Sequence, residues 1–215
     1  MSQLVEAVCL FGAGGHGRAT AEVIRRAGIY DVHCVVDDRE PPGTLRPLWV
    51  GGRDELGKIR STGSAAGFVA IGDNAIRAQL TTLMVDSGFE MITVIDPSAV
   101  VASDARIGAG SSVMPHALAG ANATLGQGVI VNSAATVDHD CVVGDYVQIS
   151  PGAHLTGGCT IGDFAFLGGG AIVAMPVTIG ARTIVGAGAV VLNDLPADVV
   201  AVGTPARVLR VLDRP

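Results

Sequence analysis

From Ile95 onward the chain repeats itself every six residues. Steps of six from Ile95 meet Val101, Ile107, Val113, Ala119, Leu125, Val131, Val137, Val143, Ile149, Leu155, Ile161, Leu167, Val173, Ile179, Val185 and Val191. Sixteen of these seventeen positions are Ile, Leu or Val; Ala119 is the exception. Glycine often comes next, as at Gly108, Gly126, Gly144, Gly162, Gly180 and Gly186. Four places after the branched residue the site is usually small: Ala99, Ala105, Ser111, Ala117, Ala123, Ala135, Cys141, Ala153. An unbroken six-residue period of this kind is the mark of a parallel β-helix. Each hexad makes one flat side, and three sides make a triangular coil of eighteen residues. Branched side chains point inward and stack on those one coil away, about 4.8 Å apart. The small residue fits the corner, and the flat sides invite packing against further copies. Composition agrees, with 49% hydrophobic residues but only 4% aromatic ones and 30 glycines, a core of small and branched side chains.

Residues 1–88 lack this period. LVEAVCLF reads as a buried strand, RATAEVIRRAG as a helix stopped by Gly28, VHCVV as a second strand closed by Asp37 and Asp38, and GFVAIG as a third. NAIRAQLTTLMVDSG is a second helix, capped by Asn74 or Asp73 and stopped by Gly88. Alternating strands and helices predict a small parallel α/β domain of half-Rossmann type. The expected division is therefore 1–88 for a nucleotide-binding α/β domain, 89–197 for the β-helix and 198–215 for a tail.

Between the first strand and helix, GAGGHG sets Gly12, Gly14 and Gly17 in the pattern GxGxxG. Glycines there permit a tight turn, and a helix N-terminus attracts phosphate. Asp37 and Asp38 stand about 20 residues on, where an acid can accept from a ribose hydroxyl. Only about 50 further residues precede the hexads, too few for a nicotinamide enzyme's second half, so a mononucleotide diphosphate fits better. The alternative is that the glycines only pack helix on strand. His16 either donates to a phosphate or sugar, or caps the helix.

The second candidate is His139, in TVDHDCVVGD. It lies two places after an inward valine, near a corner, and one coil on stand Gly157 and Gly158, which have no side chains. The expectation is open space beside the imidazole, with Asp138 or Asp140 orienting the ring; the alternative is a solvated corner residue. His116 and His154 read as surface residues at other hexad places. Cys9, Cys34, Cys141 and Cys159 have no CxxC or zinc spacing, and Cys141 and Cys159 are expected to stack as buried thiols. A net charge of −6 gives no general attraction to nucleic acid or anionic membrane. With no long apolar run and no basic leader, a cytoplasmic location without membrane insertion is expected.

The GAGGHG domain, the VDD turn, the AIGDNAIR segment, the hexads with DHDCVVGD and the tail VGTPARVL together resemble the sugar acyltransferases of the sialic-acid O-acetyltransferase and bacillosamine-pathway N-acetyltransferase group. The resemblance covers essentially the whole chain. It implies a left-handed β-helix, where the general crossover rule gives a right-handed one. It also implies a homotrimer, acetyl-CoA as donor, a UDP- or GDP-linked amino sugar as acceptor in surface-glycan biosynthesis, and no metal. By resemblance the base falls on His139 and its acid on Asp140, shorter than the glutamate frequent in relatives. Nucleotide-sugar contacts fall on Gly14, Gly15, His16, Asp37, Asp38 and Gly72. Coenzyme contacts fall on Gln148, Gly169 and Ala187, with Arg207 a candidate for a coenzyme phosphate. Gln148 stands where some relatives carry histidine and cannot move a proton. Three rival readings are a sialic-acid-type O-acetyltransferase, a non-catalytic nucleotide-sugar sensor, and a metal-dependent hydratase. The last needs converging histidines, and His116, His139 and His154 occupy three different hexad places.

Overall fold

The computed structural model describes residues 6–61 and 65–213, in two compact units, Met1–Pro97 and Ser98–Pro215. The first is a parallel sheet with helices on both faces. Its elements are β1 (Glu6–Phe11), α1 (Gly15–Ala27), β2 (Tyr30–Val36), β3 (Trp49–Gly51), α2 (Leu56–Ser61), β4 (Ala66–Val69), α3 (Asn74–Asp86) and β5 (Glu90–Met91). Leu4 and Val5, which the apolar run of the first strand includes, lie outside the described residues. The strand order is β3-β2-β1-β4-β5, so the chain leaves β1 in one direction and β4 in the other. The C-terminal ends of these two neighbours form the switch point at which such sheets bind ligands. One face buries Cys9, Phe11, Cys34 and Val36 against Leu56 and Ile59 of α2 and Leu80 and Met84 of α3.

Gly28 ends α1 in the left-handed conformation expected of it. Of the two cap candidates for α3, Asp73 takes the role, accepting from the Ile76 N–H at 2.9 Å. β3, β5 and α2 have no counterpart in the sequence reading. The two strands are three and two residues long and α2 only six, too short to show a period.

In the second unit the sides are two-residue strands whose second residue points inward, and from Val100–Val101 to Ile172–Val173 each pairs in parallel with the one eighteen residues on, as Thr136–Val137 does with His154–Leu155; in the last coil the interval shortens to sixteen, Ile179 with Leu195 and Ile184 with Val200. The branched column from Val113 to Val191, including Val137, Ile149 and Leu167, forms one continuous core with the small column of Ala117, Ala135, Cys141 and Ala153. All four cysteines are buried thiols. Three places after the branched residue the backbone is left-handed, at Asn122, Gly128, Ala134, Asp140, Tyr146 and Gly152 among others. This turn makes the corner. The glycine after the branched residue is explained by close stacking, since a Cβ on Gly108 would lie 2.5 Å from the Gly126 carbonyl carbon. The tail forms an antiparallel hairpin, Val199–Gly203 with Ala206–Val211, whose first strand extends the face of Ile184–Val185.

Candidate functional site

In the first unit the switch point is assembled from loops that lock onto one another. Gly12 takes a φ of 103° as β1 ends, and the chain turns straight into α1. A Cβ on Gly17 would sit 2.0 Å from the Gly12 carbonyl oxygen, so this glycine lets helix and strand touch. Gly14 and Gly15 are exposed, with nothing within 4 Å of a built Cβ. They stand at the N-terminus of α1, where no side chain caps the free N–H groups. Gly72 and Asp73 lead into α3 after β4, the strand beside β1, but there the Asp73 side chain caps the helix.

His16 is half-buried, and among the described residues its Nε2 has no hydrogen-bond partner. Burial first, and then the nearby Arg77 charge, pull its pKa down to about 4, so the ring is neutral at physiological pH. Arg77 itself is 1% exposed. Its guanidinium donates to the Ile71 and Gly72 carbonyls at 3.0 Å each and to Asn74 Oδ1 at 2.8 Å. Sequence reading missed this residue, because an arginine one turn into a helix reads as solvent-facing.

The two aspartates differ in role. Asp37 accepts from the Ala13 N–H at 2.9 Å and from the Arg39 N–H at 3.0 Å, tying the end of β2 to the glycine loop. Asp38 is exposed and ion-paired with Arg53, which holds its carboxyl below the usual range. The Trp49 indole N–H donates to the Asp37 carbonyl at 3.0 Å. Residues 49–53 therefore wrap the VDD turn, and Trp49 and Arg53 join the site without having been singled out by any motif.

In the second unit His139 stands just before the left-handed Asp140, so its ring projects from a corner. Of its two flanking acids, Asp140 takes the ring: His139 Nδ1 lies 2.8 Å from Asp140 Oδ2, while Asp138 Oδ1 accepts the His139 backbone N–H at 2.7 Å. An ionised carboxylate only accepts, so Nδ1 carries the hydrogen and Nε2 is left as acceptor. The Asp140 hydrogen bond, then the Asp138 charge, raise the imidazole pKa above 6.5. The expected open space beside the ring is not open. A Cβ on Gly157 would fall 2.5 Å from both Cε1 and Nε2 of His139: the bare backbone of the next coil is the shelf on which the ring itself lies.

The other residues fall elsewhere on the prism. Gly169 and Ala187 are exposed and eighteen apart, in one corner column above Pro151. That corner follows the face carrying half-buried Gln148, whose Nε2 reaches Ser150 Oγ at 3.5 Å. It and the His139 corner flank one face, whose outward column includes Leu118, Thr136, His154 and Ile172. Within one chain they are thus separated by a face. Arg207 is exposed on the hairpin, donating to the Ala206 carbonyl at 2.8 Å. His116 is exposed, and His154, in that outward column, is half-buried with Nδ1 3.0 Å from Thr136 Oγ1. Among the described residues no three His, Cys, Asp or Glu side chains converge as a metal site, and no helix is long and apolar enough to cross a membrane.

Two family models match the chain: the PglD N-terminal domain over residues 7–84 and the bacterial transferase hexapeptide (six repeats) over residues 158–193. A histidine-to-asparagine mutant of perosamine N-acetyltransferase from Caulobacter crescentus, solved with CoA and GDP-perosamine, is 40% identical. That match has a TM-score of 0.92 and covers 97% of this chain and 99% of that one. The acetyltransferase domain of PglB from Neisseria gonorrhoeae FA1090, solved with acetyl coenzyme A, is 39% identical at a TM-score of 0.88, covering 95% and 99%. UDP-N-acetylbacillosamine N-acetyltransferase of Bacillus subtilis (strain 168) is 35% identical over 109 residues. That match spans half of this chain and half the length of the curated relative.

Proposed function

The chain belongs to the hexapeptide-repeat sugar N-acetyltransferases with a PglD-type N-terminal domain, and on that premise we propose that it moves an acetyl group from acetyl-CoA to the amine of a nucleotide-linked amino sugar. The observation that carries the reading is His139, braced by Asp140 at 2.8 Å and seated on Gly157, with Nε2 free to accept a proton. In the transfer the acceptor nitrogen attacks the thioester carbonyl, forming the C–N bond. His139 takes the proton the nitrogen sheds, the C–S bond breaks, and the coenzyme leaves as thiolate to be protonated. Asp140 stabilises the imidazolium formed in passing.

The nucleotide diphosphate of a UDP- or GDP-sugar lies at Gly14, Gly15 and Gly72, where the uncapped N-terminus of α1 favours anionic oxygens. His16 offers its neutral ring there, and Asp37 and Asp38 line the ribose side. Gln148, Gly169, Ala187 and Arg207 take the coenzyme. Because the Gly169–Ala187 column and His139 lie on different corners of one chain, a neighbouring copy supplies one of them, which favours a homotrimer. Acetyl-CoA as donor fits a cytoplasmic location.

The test is thiol release from acetyl-CoA with a panel of UDP- and GDP-linked amino sugars and sialic acid, comparing wild type with His139→Asn. Turnover of an amino sugar, reduced about 10²–10⁴-fold in the variant, is expected. Turnover of sialic acid alone moves the enzyme to O-acetylation. Binding of nucleotide sugar without any thiol release makes it a sensor.

A further inference from the structure

The brace on His139 does not end at Asp140. The two Asp140 carboxylate oxygens have separate partners: Oδ2 meets His139 Nδ1, and Oδ1 accepts from Asn122 Nδ2, again at 2.8 Å. Asn122 is the residue eighteen places earlier, at the same corner of the preceding coil. Both residues sit in the left-handed conformation, with φ of 56° and 59°. The backbones are pinned as well, since the Asp140 N–H donates to the Ala121 carbonyl at 2.9 Å and the Gly158 N–H to the His139 carbonyl at 2.9 Å. The amide sits on one coil, the carboxylate and imidazole side by side on the next, and the ring lies on Gly157 of the third.

We infer that Asn122 is a positioning residue: its amide fixes the Asp140 carboxylate, and through it the orientation and tautomer of the His139 ring. An aspartate side chain is short, and one that is exposed, as Asp140 is, rotates unless something holds its second oxygen. A carboxylate turned away leaves His139 Nδ1 without its acceptor, and the ring is then free to carry its proton on Nε2, where it cannot act as a base. The Asn122 hydrogen bond is also the largest influence lowering the Asp140 pKa, ahead of His139 itself. The charged groups at the ring are Asp140 and Asp138; the coil beyond presents only the Gly157 backbone. The catalytic consequence rests on the acetyl-transfer reading, but the geometric claim does not.

Two variants separate the amide from the backbone it sits on. Glycine and aspartate both tolerate a φ of 56°, so Asn122→Gly deletes the donor without strain and Asn122→Asp replaces it with a second anion. The first readout needs no substrate: long-range proton–nitrogen NMR of the His139 ring, titrated with pH. Wild type is expected to show the Nδ1–H tautomer, Asn122→Gly a mixture of both, and Asn122→Asp a titration raised by about half a pH unit or more, from a further negative charge nearby. In the thiol-release assay Asn122→Gly should lose about fivefold in kcat, the scale of one exposed hydrogen bond, with KM for both substrates unchanged. An unaltered tautomer and titration in both variants overturns the inference, as does a Gly variant that loses KM rather than kcat. If no amino sugar turns over in wild type while the ring still changes in the variants, the inference stands and the acetyl-transfer reading falls.

Discussion

Replacing Gly157 with alanine should silence the enzyme while leaving it folded. The new methyl would be 2.5 Å from Cε1 and Nε2 of His139, where carbon contacts need about 3.5 Å. One partner therefore moves by about 1 Å. The Gly157 backbone is held in the coil, whereas the His139 side chain is 54% exposed, so the ring swings outward. A misplacement of about 1 Å at a catalytic group costs roughly 10²-fold in rate. The stability terms are small. Losing the Asp140 hydrogen bond costs little, because both side chains are exposed and water replaces it. Alanine at a backbone conformation it can adopt returns about 0.4–1 kcal/mol through the unfolded chain. Tm should move by no more than about 3 °C. Thiol release and thermal unfolding of the same preparation give both numbers. A kcat within threefold of wild type would refute the view that His139 must lie on Gly157. A Tm lower by more than about 6 °C would show that the backbone, not the ring, took the strain.

Gly17→Ala makes the opposite case. Its methyl meets the Gly12 carbonyl oxygen at 2.0 Å, backbone against backbone, so the first unit should lose several kcal/mol, read as a thermal transition lowered by more than about 5 °C. Asp73→Ala removes the α3 cap and should cost about 1 kcal/mol, a fall of about 2–4 °C in Tm, with the hexad unit unaffected. The acid limb of kcat/KM should lie above pH 6.5, because Asp140 and Asp138 raise the His139 pKa and only the unprotonated ring accepts a proton. The rate therefore climbs as pH rises through that value, and a limb below 6.5 would contradict the His139–Asp140 geometry.

The hexads were legible because in a β-helix the sequence interval and the spatial neighbour are the same thing. Eighteen residues along the chain is one coil up, so Cys141 over Ala123, or His139 beneath Gly157, follows from counting. What the period did not reveal was how a side chain uses its neighbour. Counting placed Gly157 beside His139 but read the gap as space for a ligand, and only the folded structure shows the ring filling it. The same holds for Asn122, visible as the residue below Asp140 but not as its donor. The first unit was legible in its longer elements and in the glycine loop. Arg53 reaches Asp38 across fifteen residues of irregular chain, and no periodicity spans such a loop.

The amino-acid sequence by itself determined the β-helix, its register, its corner residues and the glycine loop ahead of α1. Each depends on local spacing or on backbone freedom, which residue order encodes directly. The tertiary structure decided which acid holds His139, that Asp37 spends both oxygens on the backbone, that Arg77 is buried, and that His16 stays neutral. These depend on desolvation and on hydrogen bonds between segments distant in sequence, whose strength is set by angstrom-scale placement that residue order does not carry.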